Sequence, residues 1–170
     1  MSKKYEQKFI TELKKSVIAL NDLHGEEVFW YKIPDSPHLG VGARFDSPKP
    51  FDIFYVESGD AYAIEAKVLD GYRAFSLAHM RPSQIESLTQ FMKAGGQAYV
   101  ALNIRQAASK AEGKEHINKA IFMPWDGLFD RLKKSSIKAK ELKEAPGLQG
   151  KKGLYNLEEY ESWDPSYLEE

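Results

Sequence analysis

The sequence predicts a mixed α/β domain in which helices flank a sheet. Three observations predict it. An amphipathic stretch at 3–20 is followed by three short runs of strand composition. A second helical pattern opens at Pro82 and is stopped by Gly95-Gly96. Directly after it, 97–103 is apolar enough for a buried strand. The order is helix, three strands, helix, strand, and then a less regular tail.

Each element has its own signal. In 3–20, Phe9, Ile10, Leu13, Val17, Ile18 and Leu20 recur at helical spacing, while Lys3, Lys4, Lys8, Lys14 and Lys15 supply a polar side. Residues 28–33 read as a strand closed by Pro34. Residues 34–50 hold four Pro and two Gly without periodicity and read as a loop. Two strand-like runs follow, 51–56 and 61–68, with Ser58-Gly59-Asp60 as the turn between them. Asp70-Gly71 marks another turn, and 72–80 is mixed. Pro82 suits the first turn of a helix running to about Lys93, with Ile85, Leu88 and Met92 as its apolar stripe. Residues 105–117 read as an exposed polar insertion and 120–123 as a last strand. The pattern at 125–132 predicts a helix that continues into the basic stretch behind it.

The chain has 170 residues, room for one ordinary domain with terminal additions. Nine Tyr, nine Phe and three Trp supply enough apolar bulk for a core without staples. The absence of cysteine excludes disulfides, thiolate zinc sites and a cysteine nucleophile. The four histidines have no zinc spacing. No apolar run approaches the ~20 residues of a membrane span, and the first residues lack an apolar signal core. The expectation is a soluble, cytoplasmic protein. The net charge of −1 hides segregation. Residues 131–152 hold eight Lys/Arg against Glu141 and Glu144, and 157–170 hold six Asp/Glu and no Lys or Arg. The division predicted is a main domain over 1–133 and a basic-then-acidic extension over 134–170, partly helical or irregular.

The chemistry concentrates around the turn at Ser58-Gly59. If those two residues form the loop, paired positions sum to 117 and Asp52 lies opposite Glu65. If Gly59 and Asp60 form it, the sum is 119 and Asp52 lies opposite Lys67. Either register puts Asp52, Glu65 and Lys67 on one face, because strand side chains alternate with period two. A three-residue loop would break this unless a bulge restored it. Two opposed carboxylates repel without a cation. Mg²⁺ prefers oxygen ligands and keeps waters, so such a pair suits it, and a lysine alongside can counter charge on a phosphate. Glu6 shares a helix face with Ile10, Leu13 and Val17. It is either a fourth member of the cluster or a first-turn acid favoured by the helix dipole. Glu12 falls with Lys8 and Ser16 and reads as solvated.

Pro50-Phe51-Asp52 with Ile64-Glu65-Ala66-Lys67 resembles the PD-(D/E)xK nuclease signature, with Phe51 displacing the motif proline, which supplies no ligand. Phe75-Ser76-Leu77, Ser83-Gln84-Ile85-Glu86 and Gly95-Gly96-Gln97-Ala98-Tyr99-Val100 resemble the RecU-type Holliday junction resolvases in order and spacing, and Lys32-Ile33-Pro34 fits their strand before a long loop. The resemblance covers roughly 5–125; the Glu6 helix and small size are similar to the archaeal Hjc resolvases. It implies a restriction-endonuclease-like core, dependent on Mg²⁺ with Mn²⁺ as a substitute, working as a homodimer on four-way DNA junctions in a bacterial, archaeal or phage-infected cytoplasm. Asp52, Glu65 and Glu6 would be metal ligands, Lys67 the catalytic lysine, and Gln84 a residue beside the metal-bound water. Arg44 and Lys49, in the loop before Asp52, are candidate DNA contacts that loop solubility explains almost as well, and Arg73 and Arg81, approaching the Gln84 helix, are candidate contacts lining the same cleft. His79 reads as structural. Two other expectations compete: a restriction-like or repair nuclease on the same fold, and a junction-binding module without catalysis.

Overall fold

The computed structural model describes residues 3–25, 27–34 and 49–167. Helix α1 (Lys3–His24) opens the chain. Strands β1 (Val28–Lys32), β2 (Ile53–Glu57) and β3 (Asp60–Asp70) follow. Helix α2 (Pro82–Lys93) then leads to β4 (Gln97–Gln106) and β5 (Ile117–Pro124). Helices α3 (Trp125–Lys134) and α4 (Ala139–Glu144) precede the two-residue β6 (Leu148–Gln149). The six strands form one sheet in chain order. All neighbours are antiparallel except β3 and β4, which are parallel. A parallel pair needs a crossover, and α2 supplies it. No helix among the described residues is long and apolar enough to cross a membrane.

Both faces of the sheet are buried. On one face α1 contributes Phe9, Ile10 and Leu13, which share a cluster with Ile53, Ala66, Val68 and Ala101. On the other face Leu88 of α2 and Trp125 and Leu128 of α3 share a cluster with Ala63, Leu69, Val100, Leu102 and Ile121. β4 is therefore buried almost continuously from Ala98 to Ile104, as a strand covered on both sides must be. Trp125 Nε1–H donates to Thr89 Oγ1 at 3.0 Å and ties α3 to α2.

The hairpin takes the 117 register: Glu57 faces Asp60 and Ile53 faces Ile64. Ser58 and Gly59 form the loop with φ of 50° and 88°. Two successive positive φ values fit a type I′ turn, whose twist matches the flanking strands. β3 outruns its partner. It stays beside β4 as far as Asp70, but its pairing with β2 ends at Ile64. The expected strand over 51–56 thus begins two residues late, at Ile53. This fork opens the space for the site.

The basic stretch is not one continuous helix. α3 ends at Lys134, and Ser135 is extended at φ −160°. The break is enforced by Ile137, which is fully buried and exchanges two main-chain hydrogen bonds with Phe75, at 2.8 and 2.9 Å. The insertion expected at 105–117 is exposed only over 107–116, apart from half-buried Ser109, since β4 extends to Gln106 and β5 begins at Ile117. The segment after α3 packs into the same two cores through Ile137, Leu142, Leu148 and Tyr155. Gly127 of α3 permits part of this packing, because a Cβ there would lie 2.0 Å from Asp164 Oδ1.

Candidate active site

The fork between β2 and β3 leaves main-chain donors of β3 without a strand opposite. Asp52 answers one of them: its Oδ2 accepts the Ala66 N–H at 2.9 Å. Its main-chain N–H donates to the Ile64 carbonyl at 3.2 Å, and its own carbonyl accepts from Ile33 N–H at 2.9 Å. The carboxylate is thus pinned beside the middle of β3, although Asp52 lies outside the ladder. It is only 3 % exposed.

Glu65 and Lys67 project from β3 between Ala63 and Leu69, on the face that carries α2, while Ala66 and Val68 enter the α1 cluster. Glu65 is 1 % exposed. Its Oε1 receives the Lys67 ammonium at 2.8 Å and a short hydrogen bond from Gln84 Nε2. Its Oε2 is buried and has no partner. Burial, reinforced by the Asp52 charge and opposed by Lys67, pushes the Glu65 carboxyl up to about 8.

Gln84 is the hub. Pro82 starts α2, which puts Gln84 in its first turn with the side chain turned toward β3. Gln84 Oε1 accepts the Arg81 main-chain N–H at 3.0 Å and one Lys67 N–H at 3.0 Å. Half of a capping box is therefore shared with the site. An ammonium has three N–H bonds, and Lys67 directs two of them to Glu65 and Gln84.

The other expected residues fall at different distances from this centre. Glu6 is half-buried in the first turn of α1. Burial and the Asp52 carboxylate raise its carboxyl above the ordinary range, while Lys67, Lys49 and Arg81 pull it back. Lys49 Nζ is turned inward, 2.6 Å from Asp52 Oδ1. Arg81 is exposed at the start of α2. Arg73 is exposed and meets Asp70 at 3.4 Å. Arg44 lies outside the described residues, as does most of the 34–50 loop. His79 stacks on Phe75 at 5.1 Å and contacts Ser76 through Nδ1 at 3.1 Å, a structural placement.

Glu12 departs from expectation. It is buried and paired with Arg105, and its Oε2 accepts the Tyr155 hydroxyl at 3.3 Å. Arg105 Nε also donates to Asn103 Oδ1 at 2.9 Å. The helical step from Phe9 through Glu12 to Ser16 follows the edge of the core, which is the one trace of this in the sequence.

The donor set suits a hard divalent cation. It consists of carboxylate oxygens, and Glu65 Oε2 is a buried acceptor without a hydrogen-bond partner. As the side chains stand, no three His, Cys, Asp or Glu residues among those described are close enough to form a metal-holding group. Two lysines occupy the carboxylates instead, Lys67 on Glu65 and Lys49 on Asp52.

The elements and cluster make a mixed six-stranded α/β fold with one buried acid–lysine–amide centre at the fork of its sheet. No protein-family model and no curated protein matches the sequence. Among solved structures, the chain is similar to Hjc of Archaeoglobus fulgidus, a Holliday junction resolvase from an archaeal hyperthermophile. The identity is 22 %, over 82 % of this chain and 94 % of that one, with a TM-score of 0.45.

Proposed function

We propose that this protein is a structure-selective DNA endonuclease, a Holliday junction resolvase that hydrolyses phosphodiester bonds and acts as a homodimer. The observation that carries the reading is the convergence of Asp52, Glu65, Lys67 and Gln84 at the β2–β3 fork, with one Glu65 oxygen left bare. The motif resemblance set out above supplies the junction substrate and the dimer; two-fold symmetry suits paired cuts in opposed strands.

Asp52 and Glu65 would hold Mg²⁺ or Mn²⁺, with Glu6 completing the acidic set. When bound, the ion supplies Lewis-acid polarisation of the phosphate and a more acidic water. The chain's own side chains do the rest. Gln84 fixes Glu65 and Lys67 relative to each other, so neither must reorganise when DNA arrives. Lys67 keeps one N–H for a phosphate oxygen or the attacking water, and its charge offsets the negative charge that builds on the phosphorus oxygens. Arg81, Arg73 and Arg44 would grip the DNA backbone, while Lys49 is turned onto Asp52.

The test is cleavage of a synthetic four-way junction beside a linear duplex of the same sequence, with Mg²⁺ or EDTA. Selective, EDTA-sensitive cleavage is expected, and Asp52→Asn should abolish it while the variant still binds junctions. Equal cutting of both substrates would replace the resolvase reading with a restriction-like or repair nuclease. Tight junction binding by a wild-type protein that never cuts would leave a binding module.

A further inference from the structure

We infer that Lys49 is a resident counter-cation of this site: its ammonium occupies the Asp52 oxygen that a divalent ion would take, and it must leave that oxygen when the ion binds. The inference rests on the reading of Asp52 and Glu65 as metal ligands.

The two oxygens of each carboxylate have different company. Asp52 Oδ2 already accepts the Ala66 N–H of the strand, which orients the carboxylate. Oδ1 is the oxygen that remains for a ligand, and Lys49 Nζ sits on it at 2.6 Å. On Glu65 the arrangement is complementary. Oε1 is fixed by Lys67 and Gln84, and Oε2 is bare. Lys67 is locked in place from two sides, by Glu65 and by the Gln84 amide. Lys49 approaches from the segment before β2, three residues ahead of Asp52 itself.

The pair is also out of water. The Lys49 and Asp52 side chains are 9 % and 4 % exposed. A carboxylate so enclosed needs a nearby cation, and removing a buried partner is costly. Glu6 lies within electrostatic reach of Asp52, Lys67, Lys49 and Arg81, so Asp52 is not the only acid these cations face. A divalent ion brings twice the charge in a smaller volume and has oxygen ligands on both Asp52 and Glu65. Lys49 thereby sets the affinity of the site: it stabilises the ion-free fold and competes with the ion for the same oxygen.

A structural ion pair and a counter-cation predict opposite signs. If Lys49 competes with the ion, Lys49→Gln lowers the melting temperature in EDTA and tightens Mn²⁺ binding by on the order of tenfold, the equivalent of ~1.4 kcal/mol. Lys49→Arg, whose fork grips a carboxylate through two N–H bonds, should weaken Mn²⁺ binding severalfold. Mn²⁺ titrations followed by electron paramagnetic resonance and calorimetry measure both without reference to turnover. If Lys49→Gln fails to fold, Lys49→Arg carries the test. Unchanged or weaker Mn²⁺ binding by a folded Lys49→Gln, or unchanged binding by Lys49→Arg, overturns the counter-cation role and leaves the metal reading intact. A wild-type protein that binds no Mn²⁺ overturns the metal reading, and this inference with it.

Discussion

Asp52 leaves the chain just before the β2 ladder begins, so a side-chain oxygen rather than a main-chain carbonyl meets the Ala66 N–H. That exchange brings a second acid next to Glu65, and burial, with this neighbouring charge added, raises the Glu65 carboxyl. The folded protein holds the Glu65 proton up to about pH 8, whereas an ordinary glutamate releases it near 4.5. Between those values the native state binds more protons than the unfolded chain, so unfolding releases a proton. The stabilising contribution is complete below pH 4.5, falls as pH rises, and is gone above about 8. In EDTA, urea-unfolding free energies should therefore decline from pH 5 to pH 9, and Glu65→Gln should flatten the decline. Parallel curves for the two proteins would place the buried proton elsewhere. Mn²⁺ should likewise compete with the proton and bind more tightly as pH rises across the same window.

Among the elements, the break between α3 and α4 is the one most open to a stability test. Ile137 fills a fully buried position and pairs with Phe75, and Lys119 donates from β5 to the carbonyls of Leu142, Lys143 and Ala145 at the end of α4. Ile137→Ala should cost about 2–5 kcal/mol in urea unfolding, the range for emptying a buried aliphatic site. A loss below 1 kcal/mol would show that the break is not anchored there. The elements that sequence periodicity made legible are those with local causes. The stripe of Phe9, Ile10 and Leu13, the two-residue turn at Ser58-Gly59 and the Pro82 start of α2 each carry their own instruction. The turn residues left the 117 and 119 registers both open, and the structure takes the first, which aligns Glu65 with the approach of Asp52. The features that escaped have distant causes. β6 is two residues long and exists because Leu148 and Gln149 meet Ala120 and Lys119. Glu12 reads as solvated until Arg105, 93 positions away, is placed against it. Lys49 reads as a loop cation until the irregular chain before β2 turns it onto Asp52.

For the molecule as a whole, the first helix and the last described segment complete each other. Ser16 Oγ accepts the Tyr155 main-chain N–H at 2.8 Å, and Tyr155 packs edge-on to Phe9 at 5.9 Å. His24 meets Glu158 at 3.3 Å, and Trp163 N–H donates to the Phe122 carbonyl at 2.9 Å. Whether residues 1–133 fold by themselves is therefore directly testable. A chain ending at Lys133 lacks Leu142, Leu148 and Tyr155, three buried members of the two cores, and leaves Glu12 and Asn103 without the Tyr155 hydroxyl. It should show no cooperative thermal transition by circular dichroism; a sharp transition near that of the full chain would make the first 133 residues an independent unit. The Ser16–Tyr155 bond closes a span of 139 residues, so it forms late and at an entropic cost. In chain order α1 precedes every strand it packs on, so during synthesis its apolar stripe is covered piecemeal, first by residues of β2 to β4 and last by Leu148 and Tyr155. Until those partners arrive, the helix offers a nascent-chain chaperone an exposed apolar stripe to hold.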